Sequence, residues 1–359
     1  MNRKVSECLY DRKNNFDIIR FIAALLVIIS HAYPLTSHSG EFFLELSKGQ
    51  MSLGALAVAI FFVISGFLIT QSYDRNPNLI KYFKARILRI FPGLIAATIF
   101  GAFVVGLLVT TLSKTEYLTN SNTYDYLKVI FLFPMEWTLP GVFETSSFNN
   151  SVNGSLWTLP YEIMSYIFVA IIGVCGSLKN KHVVLFLFLF SLYIKNYLIL
   201  SIPTDFTWVY LPDFFNLFPY FAAGMVIYAF RDDITLNKQY ALISLALLII
   251  SLIFGGFITI FTIFGSYFII YIAYSKKIKF YNFAKYGDFS YGLYIYAFPI
   301  QQSVTYFISD ISVFTNIIIS VPLTLIVSYC SWHLIEKPSM KLKNKTFGKK
   351  IIEPKPTTI

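Results

Sequence analysis

Ten stretches of this 359-residue chain run apolar for close to the length of about 20 residues that carries a helix across a bilayer. They fall at roughly 16–33, 51–70, 90–112, 157–175, 183–202, 214–230, 240–255, 257–275, 290–308 and 314–333. None shows the alternation of a membrane β-strand, so each must satisfy its own backbone polar groups as a helix. The pattern predicts an all-α fold, a polytopic membrane helix bundle of about ten transmembrane helices. Composition agrees: 56% of residues are apolar and only 13% charged, about half the usual charged share, with a mean hydropathy of +0.63. The long run 240–275 divides into two short helices at Gly255 and Gly256.

A net charge of +10 and a pI near 9.2 would suit a nucleic-acid binder. The basic residues, however, lie between or beside the apolar runs. With the N-terminus in the cytoplasm, 24 of the 29 Lys and Arg fall inside, two within spans (Arg20, Lys195) and three outside (Lys48, Lys114, Lys128). That bias selects an orientation with both termini cytoplasmic, and with membrane lipid rather than nucleic acid as the surroundings. The run 126–139 is apolar but short, and the loop from there to 156 has no Lys or Arg. Counting it as a span would invert every later loop, so it reads as an interfacial or re-entrant segment on the outer side. Residues 3–32 imitate a secretory signal, but Arg20 interrupts the apolar part, which predicts an uncleaved first helix. Residues 1–338 read as a single membrane domain and 339–359 as a basic cytoplasmic tail. Cys8, Cys175 and Cys330 have no paired spacing and are expected to be free thiols.

Chemistry must then reside in the few polar groups within the bundle. Arg20 and His31 are eleven residues apart, three helical turns plus about 20°, so they share one face about 16 Å apart along the axis. Arg20 sits toward the cytoplasm and His31 in the outer third. The plain alternatives are an Arg20 anchor paired with Asp17, one turn back, and a His31 that merely hydrogen-bonds inside the bundle. Arg86 and Arg89, one turn apart before the third span, are either ordinary positive-inside anchors or a two-pronged phosphate clamp. Glu162 enters the fourth span at about the depth of His31. It is either a helix-start carboxylate favoured by the macrodipole or a partner that orients an imidazole. Trp137, Trp157, Tyr161, Trp208 and Tyr210 lie on or near the outer face, with Asn149, Asn150 and Asn153. Most suit an interfacial belt, while Trp157 and Tyr161 are candidates to stack on a sugar. The four histidines, at 31, 38, 182 and 333, have no metal-ligand spacing, and neither a phosphate-binding glycine loop nor a serine nucleophile elbow is present.

In order along the chain stand FDIIRFIAALLVIISHA, beginning at Phe16, IFFVISGFLI at 60–69, RILR at 86–89, SLWTLPYE at 155–162, FSYGLYIYAFP at 289–299 and LIEKP at 334–338. With these six motifs the chain resembles the acyltransferase-3 family of polytopic membrane O-acyltransferases, over nearly its whole length from 17 to 338. It departs at Ala59, where many members carry an acidic residue, and at Ala297, where many carry His, so neither position receives a role.

The resemblance implies a multi-pass protein of the bacterial cytoplasmic (inner) membrane. It implies acetyl-CoA as acyl donor from the cytoplasm, no metal, and a hydroxyl of a lipid-linked or surface glycan, such as O-antigen, as acceptor outside. Arg86 and Arg89, with Arg20, would then hold the donor phosphates while the pantetheine arm spans the distance to His31. His31 would act as general base, with Glu162 as its orienter, or as an acyl-imidazole relay. The rival reading is a flippase or exporter of a lipid-linked sugar, which also needs many helices and buried polar groups. Against it stand the lack of an inverted repeat and of paired Gly/Pro-broken helices in matching halves.

Overall fold

The computed structural model of the chain describes residues 2–11, 13–146, 148, 150–199 and 210–344; Trp208, Asn149 and the tail from 345 lie outside them. A helix stands at each expected span. They are α1 (Phe16–Leu35), α2 (Leu53–Arg75), α3 (Leu79–Val109), α4 (Gly154–Val174), α5 (Lys181–Leu198), α6 (Leu211–Ala229), α7 (Lys238–Phe254), α8 (Phe257–Tyr274), α9 (Ser290–Phe307) and α10 (Val313–Lys341). Seven of these are long and apolar enough to cross a membrane. α7, with 17 residues, is shorter than that group. α6 and α9 have the length but carry more polar side chains, among them Asp213 and Asn216 in α6 and Gln301 and Gln302 in α9.

The expected outer segment 126–139 makes no spanning helix. A single 3-10 stretch, Tyr126–Phe131, follows two short helices, Lys114–Thr119 and Ser121–Asp125, and irregular chain leads on to α4. At the other end of the bundle the N-terminal strand β1 (Asn2–Lys4) pairs antiparallel with β2 (Thr235–Asn237), joining Arg3 to Leu236 in register. This end also carries the loops rich in Lys and Arg and is called the basic end below.

Lipid offers no hydrophobic force between helices, so close packing has to come from small residues. α2 and α6 use Gly66 and Gly224 in this way. A Cβ on Gly66 would lie 1.9 Å from the Phe221 carbonyl oxygen, and one on Gly224 would lie 2.2 Å from that of Val63. α1 packs between α2 and α9, and α10 lies against α9. That arrangement sets Arg20, the arginines of α3 and the first turns of α9 around one space.

Proline shapes α9 at its middle. Pro299 has no N–H to offer the Ile295 carbonyl one turn back. The side-chain amide of buried Asn153, just ahead of α4, donates to that carbonyl at 2.8 Å. Its own oxygen accepts from the Ser155 backbone N–H at 3.2 Å, starting the first turn of α4. Gln302 adds a second tie between α9 and the same loop, donating to the Ser151 carbonyl at 3.0 Å.

Candidate active site

The helix ends at the basic end enclose a cavity of about 390 Å³. Five of the six motifs contribute to its wall: Arg20 from α1, Phe61 and Ser65 from α2, Arg86 and Arg89 from α3, Thr158 and Glu162 from α4, and Tyr291 and Tyr294 from α9. The sixth reaches it through Glu336, which lies 3.9 Å from Arg89. Glu162 is twelve residues from the end of α4 at Val174, about 18 Å at 1.5 Å per residue, so the cavity penetrates well past the middle of the bundle.

The arginines are held in different ways. Arg20 pairs with Asp17 at 3.4 Å, as the anchoring alternative requires, yet it also lines the cavity. Arg89 is fixed most firmly, by Asp288 at 2.6 Å and Glu336 at 3.9 Å, with its guanidinium over the rings of Tyr291 and Trp332. Asp288 in turn accepts from the N–H and hydroxyl of Ser290 at the start of α9. Burial would push the Asp288 carboxyl up, but Arg89, Arg20 and the Ser290 bonds outweigh it and hold it at about 2.

Arg86 differs from both. It leans against the rings of Tyr82 and Tyr166 and donates to Ser72 at 3.4 Å, but among the described residues no carboxylate pairs with it. Its Nε is buried without a hydrogen bond. A guanidinium with unspent donors beside a cavity is a ready anion site.

Glu162 accepts hydrogen bonds from Ser65 at 3.2 Å and from the Tyr166 hydroxyl, not from His31. The expected orienting contact is therefore absent, and the carboxylate belongs to the cavity wall. His31 lies beyond it. The imidazole meets Phe298 edge to face, with centroids 5.3 Å apart, and its Nδ1 is buried without a partner. Phe298 is one turn further along α9 than Tyr294, which lines the cavity and shares a 2.6 Å hydrogen bond with Thr158. His31 is not among the residues that line the cavity.

Trp157 and Tyr161 stand apart from this space. Their rings pack together at 6.1 Å, and the Tyr161 hydroxyl donates to Asp213 of α6. Asn153 is occupied with Ile295. Sequence reasoning passed over Ser65, Tyr166, Asp288, Tyr291, Glu336 and Lys343. Asp288 and Glu336 had a signal, because each is an acid in or next to a quoted motif at the edge of a span. Met340 and Lys343 also line the cavity, so the first residues of the expected tail remain against the bundle.

A multi-helix bundle with several apolar spans and an arginine-lined cavity inside it defines a multi-pass membrane protein. A family described as an acyltransferase domain matches residues 13–333, and the chain belongs to this acyltransferase-3 family and is an acyltransferase. It is 30% identical over 343 residues to an O-acetyl transferase of Shigella phage Sf6, covering 91% of this chain and 96% of that one. It is 34% identical over 162 residues to nodulation protein 10 of Rhizobium leguminosarum bv. viciae, covering 43% of this chain and 42% of that one. No solved structure matches it.

Proposed function

We propose that the protein is an O-acetyltransferase of the bacterial cytoplasmic membrane, with ten spans and both termini inside. It takes acetyl groups from cytoplasmic acetyl-CoA and places them on a hydroxyl of a glycan outside, such as O-antigen. The observation that carries this reading is the cavity, which is walled by the family motifs, supplied with cations at the basic end and lined by Arg20 of the helix that also bears His31. The placement of 24 of the 29 basic residues supports the orientation.

In this reading Arg86, with Arg20 and Arg89, holds the donor phosphates, and the pantetheine arm runs inward past Glu162 toward Tyr294. His31 takes the proton of the acceptor hydroxyl as its oxygen attacks the thioester carbonyl. The carbon–sulfur bond then breaks, and the proton passes to the departing CoA thiolate. The Thr158 and Tyr294 side chains must part for the thioester to reach His31. Glu162, bonded to Ser65 and Tyr166, acts on the arm and not on the imidazole.

The test is glycan acetylation in cells expressing His31→Ala, with membrane abundance measured alongside. Loss of acetylation at normal abundance is expected; retained acetylation overturns the role of His31. Radiolabelled acetyl-CoA supplied to membrane vesicles separates transfer from export, because a flippase would leave no label on the glycan.

A further inference from the structure

The cations of the cavity are unequally compensated. Arg20 faces Asp17, and Arg89 faces Asp288 and Glu336. Arg86 and Lys343 line the same cavity, and among the described residues neither has a carboxylate partner. Lys343 stands two residues beyond the end of α10, in the short turn Leu342–Asn344, and outside the stretch 13–333 that the family accounts for. A π-helical turn at Trp332–Glu336 redirects α10 so that its last turn, Lys337–Lys341, lies against α3. Met340 there meets Arg89 at 3.9 Å, which fixes the segment over the cavity mouth.

The cations also form a sequence in depth. Arg86 and Arg89 are seven and ten residues into α3 from Leu79, about 10 and 15 Å along it, and both are half-buried. Lys343, by contrast, is exposed. A CoA donor entering thioester first has a matching order: the arm, then the 5′-diphosphate, then the adenosine with its 3′-phosphate.

We infer that Lys343 is a specificity-determining residue that binds the 3′-phosphate of the CoA donor, and that the segment Lys337–Asn344 is the cap holding it over the mouth. This rests on the acetyl-CoA reading above. The cap would make the enzyme prefer CoA to thioesters that lack the terminal phosphate.

The experiment is calorimetric titration of the purified, detergent-solubilised full chain with CoA and with dephospho-CoA, for the wild type, Lys343→Gln and Lys343→Arg. The wild type should bind CoA about three- to tenfold more tightly than dephospho-CoA, the scale of one charge-assisted hydrogen bond at an exposed site. Lys343→Gln should lose that preference by weakening CoA binding alone, and Lys343→Arg should keep most of it. In turnover assays the Gln variant's deficit should lie in KM for acetyl-CoA rather than in kcat. A Gln variant that still prefers CoA as the wild type does overturns the inference. So does a wild type that binds both ligands equally, in which case the donor reading survives. A wild type that binds neither overturns the donor reading itself.

Discussion

His31 meets the ring of Phe298 edge to face at 5.3 Å, and no hydrogen bond holds its Nδ1. The ring of Phe298 is a flat wall against which the imidazole packs. Phe298→Leu keeps an apolar side chain but not the flat wall, and should lower acetylation about tenfold or more through misorientation of the base. Quantifying O-acetyl groups on surface glycan by mass spectrometry, normalised to protein abundance, checks this. Unchanged acetylation would mean that some other contact sets the imidazole.

Among the described residues Arg86 makes no ion pair, so its removal should cost function and spare the fold. Arg86→Gln is expected to raise KM for acetyl-CoA by about tenfold or more, the scale of a charge-assisted bond to phosphate. The melting temperature in detergent should shift by no more than a degree or two. A large loss of thermal stability with unchanged KM would return Arg86 to the status of an anchor.

Arg89 should behave in the opposite way. Arg89→Ala leaves Asp288 and Glu336 facing each other with no cation between them, a change that typically costs about 3–5 kcal/mol. Thermal unfolding and membrane abundance should both register it. Asp288→Asn should cost less, because Glu336 still faces Arg89.

The Asp288 contribution has a defined pH window. Its carboxyl ionises at about 2 in the folded protein against an ordinary value of 3.8, so its stabilising effect is complete above about 4 and is lost as pH falls toward 2. The stability gap between the wild type and Asp288→Asn should therefore narrow as pH falls below about 4 toward 2. A gap that closes nearer neutrality would contradict this electrostatic account.

Asn153→Ala strands the Ile295 carbonyl that Pro299 leaves open. A buried acceptor without a partner costs about 1–3 kcal/mol, so the variant should melt earlier. Asn153→Ala combined with Pro299→Ala should recover part of the loss, because the new residue restores a backbone N–H one turn on. No recovery in the double variant would show that the two residues act independently.

The helices were readable because lipid leaves the backbone a single economical solution and apolar runs advertise it. Gly66 and Gly224 could not be recognised as helix contacts, since close approach depends on which helices become neighbours. Arg20, Arg86, Arg89 and Glu162 were singled out because a charge in or beside an apolar run has a cost that calls for a reason, and the structure brings all four to one cavity. The link between Glu162 and His31 was inferred from depth alone, and depth does not say which way a side chain turns; Ser65 and Tyr166 claim the carboxylate instead. Lys343 was hidden for a different reason. It sits in a stretch whose composition reads as solvent-facing tail, and only the turn in α10 returns it to the mouth.

Thr158 and Tyr294 form a hydroxyl pair in the cavity wall, and Phe298, one turn further along α9, carries the ring contact with His31. In the proposed reading these side chains are the septum that the thioester passes. Across an energised membrane each unit of charge that leaks dissipates about 2.3 kcal/mol per 100 mV, so an open passage lined with arginine would be costly to the cell. A partition of this kind can yield to a neutral acyl thioester and close behind it while the helices continue to insulate the membrane.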